Sequence, residues 1–170
     1  QRVHIRSGGA TALAMLHNQW LGIGSSSGIA SGDGDPADDQ MNDFTFDRNF
    51  GVGMVLFDEV MGGIEAATYR HLIDPAYAGS PPDGVEASVT EGSFRRASYL
   101  QPRIELDPHP WIHARGGLLM AWATAPINQP FYTHRNGGVP VNHLKKTTSG
   151  YGLGTEFDWA VQLTPYENKI

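Results

Sequence analysis

Residues 155–163 read TEFDWAVQL. Thr155, Phe157, Trp159, Val161 and Leu163 alternate with Glu156, Asp158, Ala160 and Gln162, the period-two pattern of a β-strand with one apolar and one polar face. The turn-forming Thr164-Pro165-Tyr166-Glu167-Asn168 follows, and the sequence stops two residues later. An antiparallel partner is expected to begin there, so the stretch reads as one strand of a larger sheet whose next strand lies outside the sequence. What solvent the apolar face meets decides what kind of sheet it is.

Composition narrows the choice. The chain has 170 residues, enough for one domain with a real core, and it is 40 % hydrophobic but only 18 % charged. Its 21 glycines and 11 prolines suit many strands joined by loops better than a helical bundle. A net charge of −6 argues against nucleic acid as a partner, and three lysines (Lys145, Lys146, Lys169) make no polybasic membrane-surface patch. The absence of cysteine excludes disulfide scaffolds, thiol catalysis and Cys-ligated metals. The longest apolar run, Gly116 to Ala125, is ten residues. That is half of what a membrane helix requires, but it is the length of a membrane β-strand, about 9–11 residues.

Further strand-like segments lie upstream. Residues 3–15 read as a weak strand, followed by a short turn at Leu16-His17-Asn18-Gln19. In residues 20–31, Leu21, Ile23 and Ile29 alternate with Gly22, Gly24, Gly28 and Ala30. In residues 93–106, Phe94, Leu100, Ile104 and Leu106 share one parity; Arg95, Tyr99, Gln101, Arg103 and Glu105 share the other. Pro102, on the apolar parity, is awkward in a central strand. A turn at 107–110 (DPHP) leads to residues 111–125, where Ile112, Ala114, Leu118, Met120 and Trp122 oppose His113, Arg115, Gly117, Ala121 and Ala123. A polar insertion separates the first pair of strands from the second (about 32–92), and another connection (126–149) precedes the last strand. Within the first insertion, residues 58–74 carry the i, i+3, i+4, i+7 apolar spacing of a helix, with Asp58 and Glu59 at its start and Arg70 and His71 near its end. Residues 77–84 (YAGSPPDG) read as loop.

Connections thus alternate short and long. Long antiparallel strands with tight turns at one end and large loops at the other describe a transmembrane β-barrel. The expected fold is all-β, a partial antiparallel transmembrane barrel of about five long strands with a helical segment in a long outer loop. Residues 1–170 form part of a single such domain.

The pattern resembles bacterial outer-membrane porin-like channels, in particular the alginate-export type. Residues 31–60 (SGDGDPADDQMNDFTFDRNFGVGMVLFDEV) are similar to the first large outer loop of such channels, and 150–165 (GYGLGTEFDWAVQLTP) to a membrane strand approaching a periplasmic turn. The resemblance implies outer-membrane localisation, helical pieces in the outer loops, and a lumen rich in arginine. It departs in size: five strands cannot close a barrel whose smallest examples have about eight. A partner chain, or more of the same polypeptide, would supply the rest.

Candidate chemistry is sparse. GSSSG (24–28) matches G-x-S-x-G with Ser26 at the nucleophile position, but the motif requires a strand-to-helix turn, and here it sits within an alternating strand. Asp33, Asp35, Asp38, Asp39 and Asp43 are hard ligands at close spacing. Asp33, Asp35 and Asp39 are therefore candidate Ca²⁺ ligands in an outer loop, set against a plain solvated acidic loop. The EF-hand register fails because Ala37 and Asp38 occupy the fifth and sixth positions. His109 and His113, four apart in a strand, are separated by about 13 Å and cannot share a metal.

No enzymatic constellation emerges. Arg95, Tyr99, Arg103, Glu105, His113 and Arg115 share the polar parity of two neighbouring strands and are the expected lumen or solute-binding residues. Equal parity across the turn sets Arg103 opposite His113 or Arg115, with Glu105 close by. Such a wall attracts anions; the alternative is an Arg–Glu network that only fills space. Trp122, Phe157 and Trp159, on the apolar parity, read as part of an aromatic girdle. The expected function is passive passage of small, anionic or saccharide solutes, with the lipid bilayer as partner. Two other readings stand beside it. One is a secreted β-sandwich that binds carbohydrate. The other is a barrel acting as a sleeve in an envelope complex.

Overall fold

The computed structural model describes residues 4–34, 39–47, 49–57, 94–126, 135–137, 139, 141 and 152–164. The helix expected at 58–74, the loop at 77–84, Asp35, most of 126–149 and the turn after Thr164 lie outside them.

Seven strands are formed: β1 (His4–Ile5), β2 (Gly9–His17), β3 (Leu21–Ala30), β4 (Gln40–Met41), β5 (Ala97–His109), β6 (Ile112–Ala123) and β7 (Gly152–Leu163). β2, β3, β5, β6 and β7 make one five-stranded sheet in that order, antiparallel at every junction. The expected all-β antiparallel architecture is therefore present. β1 and β4 pair in parallel as a separate two-stranded ribbon beside the end of the sheet from which the long connections leave. β2 and β3 are 9 and 10 residues long and the other three 12 or 13, so the long strands are concentrated in the second half of the sheet.

Both tight turns differ from the sequence expectation by a few residues. β2 continues through Leu16 and His17, and the chain reverses at Asn18–Trp20. There the Asn18 carboxamide oxygen accepts from the backbone N–H of Trp20 (3.0 Å) and Leu21 (2.9 Å), an Asx-type reversal led by Asn18, two residues later than a turn beginning at Leu16. Likewise β5 runs through Asp107-Pro108-His109 and turns only at Pro110–Trp111. The register shifts between Leu106 and His109, so Pro108 sits in an irregularity where its missing N–H costs no ladder bond. Asp107 still donates its N–H to the Trp20 carbonyl at 2.8 Å, which keeps this end of β5 tied to the neighbouring turn. Pro102 is accommodated without a register change: it stands opposite Ser25 of β3, and the β5–β6 pairing continues in register from Leu100↔Met120 to Arg103↔Gly117 with no pair at Gln101 and Pro102.

Alternation sorts the sheet into two faces. Leu21, Ile23, Ile29, Leu100, Ile104, Leu118, Trp122, Phe157, Trp159, Val161 and Leu163 occupy one face, and nearly all are exposed. Phe157 is 72 % exposed, an unusual state for a phenylalanine in the middle of a strand. The opposite face carries Ser26, Tyr99, Gln101, Arg103, Glu105, Arg115, Leu119, Glu156 and Asp158, and it is partly covered.

The cover comes from inside the first insertion, which is not uniformly polar. Residues 44–57 place Phe44, Phe46, Phe50, Val52, Leu56 and Phe57 against Phe94, Tyr99, Leu119 and Ala121. The phenylalanines interlock edge-to-face and stacked, with centroids 4.5–6.1 Å apart, the separations that aromatic quadrupoles favour. Phe94 is 1 % exposed. Its expected place on the apolar outer parity is overturned because Arg96 adopts φ 50°, which breaks the alternation before β5 begins.

Candidate functional site

The inner face of β5–β7 holds the chemistry. Gln101 is buried and lies at the centre of a polar network. Its Oε1 accepts from Arg103 Nη2 (2.6 Å), Arg103 Nε (3.1 Å) and Ser26 Oγ (3.2 Å), while its Nε2 donates to Asp158 Oδ2 (3.2 Å). Ser26 lies in mid-strand, and β3 continues past it to Ala30, so the strand-to-helix turn of a nucleophile elbow does not form there. Tyr99 is buried, its ring against the backbone of Gly28, where a Cβ would come within 2.4 Å of Cε1.

Arg103 faces Gly117, and Glu105 faces Arg115. Equal parity across the hairpin holds, but the pairing of Arg103 with His113 or Arg115 does not, because the reversal is centred on Pro110 rather than earlier. Arg115 is the diagonal neighbour of Arg103. Among the described residues the ion pairs are His17–Asp107, His113–Asp107, Arg95–Asp43 and Arg96–Asp43; Arg103, Glu105 and Arg115 take part in none of them. Arg103 is thus held directly by a neutral amide, with the Asp158 carboxylate on the other end of that amide.

Arg103, Glu105, Arg115, Gln101 and Asp158 face Gly51, Gly53 and Met54 across an open cavity of about 210 Å³. Gly117 is part of its floor, and the missing side chain leaves the space between the two arginines clear.

The remaining expected residues lie elsewhere. His113 Nδ1 is 2.6 Å from Asp107 Oδ1, and His17 Nε2 is 3.3 Å from Asp107 Oδ2, an exposed cluster near the tight turns. Arg95 precedes β5 and bonds Asp43 at the long-loop end, away from Arg103. Asp33 is buried beside it: its N–H donates to Asp43 Oδ1 (2.7 Å), its Oδ2 accepts from the Asn42 N–H (3.3 Å), and its carbonyl accepts from Arg96. Asp39 is exposed and offers its carbonyl to the His4 N–H at 2.8 Å. No group of three metal-binding side chains occurs among the described residues, and Asp35 lies outside them.

Gln101 was not singled out from sequence, and Glu156 was legible there only as part of the polar, inward wall of its strand. Gln101 shares the polar parity with the arginines, which was the available signal, but a neutral amide attracts no electrostatic argument. Glu156 is buried, and its carboxylate accepts three consecutive backbone N–H groups from Met54, Val55 and Leu56; only the fold of the insertion brings them together. Comparison with known protein families, with curated proteins and with solved structures finds no match.

Proposed function

We propose that this sheet is part of an outer-membrane β-barrel whose inner face conducts small anionic solutes, acidic saccharides among them. The observation that carries the reading is the division of the sheet. One face is largely apolar and exposed, and the other carries Arg103 and Arg115, which join none of the ion pairs among the described residues, beside Glu105 and Asp158. In water such an apolar face is a liability; against lipid it is the required surface. Trp111 and Trp122 bracket β6. Eleven steps at about 3.3 Å, tilted by about 45°, separate them by about 25 Å along the membrane normal, the height of a barrel's apolar band.

Five strands leave two edges. β2 and β7 run in the same direction, since four antiparallel junctions separate them. Closing an antiparallel barrel between them takes an odd number of further strands, whichever polypeptide carries them. Two copies related by rotation about the barrel axis would place β7 parallel to β2, so copies inserted with the same orientation do not complete an antiparallel barrel.

The solute path runs through the cavity beneath residues 51–54. Arg103 and Arg115 attract the anion, and transient charge-assisted bonds replace part of its hydration. The reading is tested by reconstitution. The polypeptide is expected to need detergent and to conduct with anion preference in planar bilayers, and Arg103→Ala with Arg115→Ala should abolish that preference. A polypeptide that purifies as a stable monomer without detergent would instead support the soluble sandwich, with a second sheet on the apolar face.

A further inference from the structure

The segment Asn49–Phe57 crosses the inner face as a strap. Its hydrophobic anchors are uneven: Val52, Leu56 and Phe57 are buried, but Met54 is 63 % and Val55 49 % exposed. Side-chain packing therefore does little to hold the middle of the strap. That part is held through its backbone. Glu156 Oε1 accepts from the N–H of Met54 (2.5 Å) and Val55 (2.8 Å), and Oε2 from the N–H of Leu56 (2.7 Å). Successive amides converging on one anion form a nest, and here the anion is a side chain from β7, about a hundred residues further along the chain.

The approach is close. Gly53 has φ 73°, and a Cβ there would lie 2.7 Å from Leu119 Cδ2 and 2.8 Å from Glu156 Oε2. The strap thus turns directly above the carboxylate. Its Gly51, Gly53 and Met54 form the side of the cavity opposite Arg103 and Arg115. Asp158, two residues along from Glu156 on the same face of β7, also lines the cavity, so latch and cavity are contiguous.

We infer that Glu156 is a positioning residue: it latches the strap over the arginine pair, and the latched strap controls access to that cavity. The latch itself does not depend on the channel reading; its consequence for conductance rests on that reading.

The sequence contains no cysteine, so Gly117→Cys introduces a single thiol on the cavity floor. Its Cβ would meet Gln101 Nε2 and the Pro102 carbonyl at 3.4 Å, ordinary contact. The full chain carrying Gly117→Cys is folded in detergent, and its reaction with a small neutral methanethiosulfonate is timed. Adding Glu156→Ala should raise the rate about tenfold or more, the factor that one charge-assisted hydrogen bond is worth. Glu156→Gln, which keeps the shape and one acceptor oxygen, should raise it less. A thiol at Leu163→Cys on the outer face should react at the same rate with and without the Glu156 change. An unchanged rate at Gly117→Cys, with strand content retained by circular dichroism, would overturn the latch. If Glu156→Ala does not fold, Glu156→Gln decides by the same criterion. Bilayer conductance separates the two ideas: faster labelling with larger conductance supports both, whereas faster labelling with no conductance in any variant keeps the latch and sinks the channel.

Discussion

Arg103 is braced by Gln101, not by an acid: both Nε and Nη2 of the guanidinium donate to the one carboxamide oxygen, at 3.1 and 2.6 Å. The two residues are neighbours on one face of β5, two apart in a strand. The amide then spends its own N–H on Asp158, so the guanidinium is oriented while its charge stays available to the cavity. Replacing Gln101 by Leu, nearly isosteric, removes the acceptor for Arg103 and Ser26 and the donor to Asp158. Because Gln101 is buried, its partners cannot all turn to water, and a loss of about 1–3 kcal/mol is expected. The unfolding midpoint in urea measures it. No shift would mean that the network rebuilds without Gln101.

Tyr99 and Gly28 fit each other across the β3–β5 junction. A methyl at Gly28 would overlap the ring edge, and the ring cannot swing away because Phe94 packs on it edge-on at 5.3 Å. Gly28→Ala is therefore expected to cost about 1–3 kcal/mol by overpacking. Tyr99→Leu alone should also destabilise, by loss of the ring. The double variant should be less harmful than the sum of the two, since removing the ring relieves the overlap that the Gly28 methyl creates. Additivity in the urea midpoints would show that the close approach is not felt.

The two-faced alternation that defines these strands was fully legible in the sequence, because period two writes the faces directly onto the residues. So was the alternation of short and long connections. Three things were not. The strand ends shifted by a few residues at Asn18 and Pro108, where a side-chain hydrogen bond and an irregular register, rather than hydropathy, decide. The parity of Phe94 was lost because a positive φ at Arg96 inverts it, and no local pattern announces an arginine in that conformation. The strap escaped notice because residues 44–57 (FTFDRNFGVGMVLF) lie inside an insertion that is polar on average, although their four phenylalanines were a visible signal. Of the site, Arg103, Glu105 and Arg115 were legible as one face. Glu156 was legible as part of the inward wall but not as a partner of the strap, since that depends on which chain segment folds over it, and Gln101 was not, since a neutral amide carries no charge pattern to flag it.

The apolar face makes a prediction that separates lipid from a buried core. Leu118 lies near the middle of β6 on that face. If lipid meets it, Leu118→Arg should cost about 2–4 kcal/mol at mid-membrane depth, and the same change at Leu163, beside the turn, about 0–1 kcal/mol. Folding into vesicles, followed by the fraction that keeps a heat-sensitive gel mobility, reports the difference. If both changes are equally harmless, the face meets water. Were both equally severe, a second protein layer rather than a bilayer would cover it.

Where β5 is entered, Asp43 gathers Arg95 and Arg96 at once. Arg96 Nε lies 3.1 Å from Oδ1, Arg95 donates to Oδ2, and the Asp33 N–H donates to Oδ1 at 2.7 Å. All three charged side chains are largely shielded from water, at 5–14 % exposure. Breaking one side of such a cluster leaves buried charge without its compensation, which is typically worth about 3–5 kcal/mol. Asp43→Asn, which keeps the shape and removes the charge, should therefore lower stability by about 3 kcal/mol, although Asp43 lies far from the arginine cavity. Arg95→Met should recover part of that loss when combined with it, because it removes one of the stranded charges. A double-mutant cycle by urea unfolding reads the coupling. If the two losses simply add, Asp43 holds this corner through its backbone partner Asp33 and not through charge. Anion preference should be untouched by either change, since neither residue lines the cavity; an altered preference would place the selectivity element at the loop end instead of at Arg103 and Arg115.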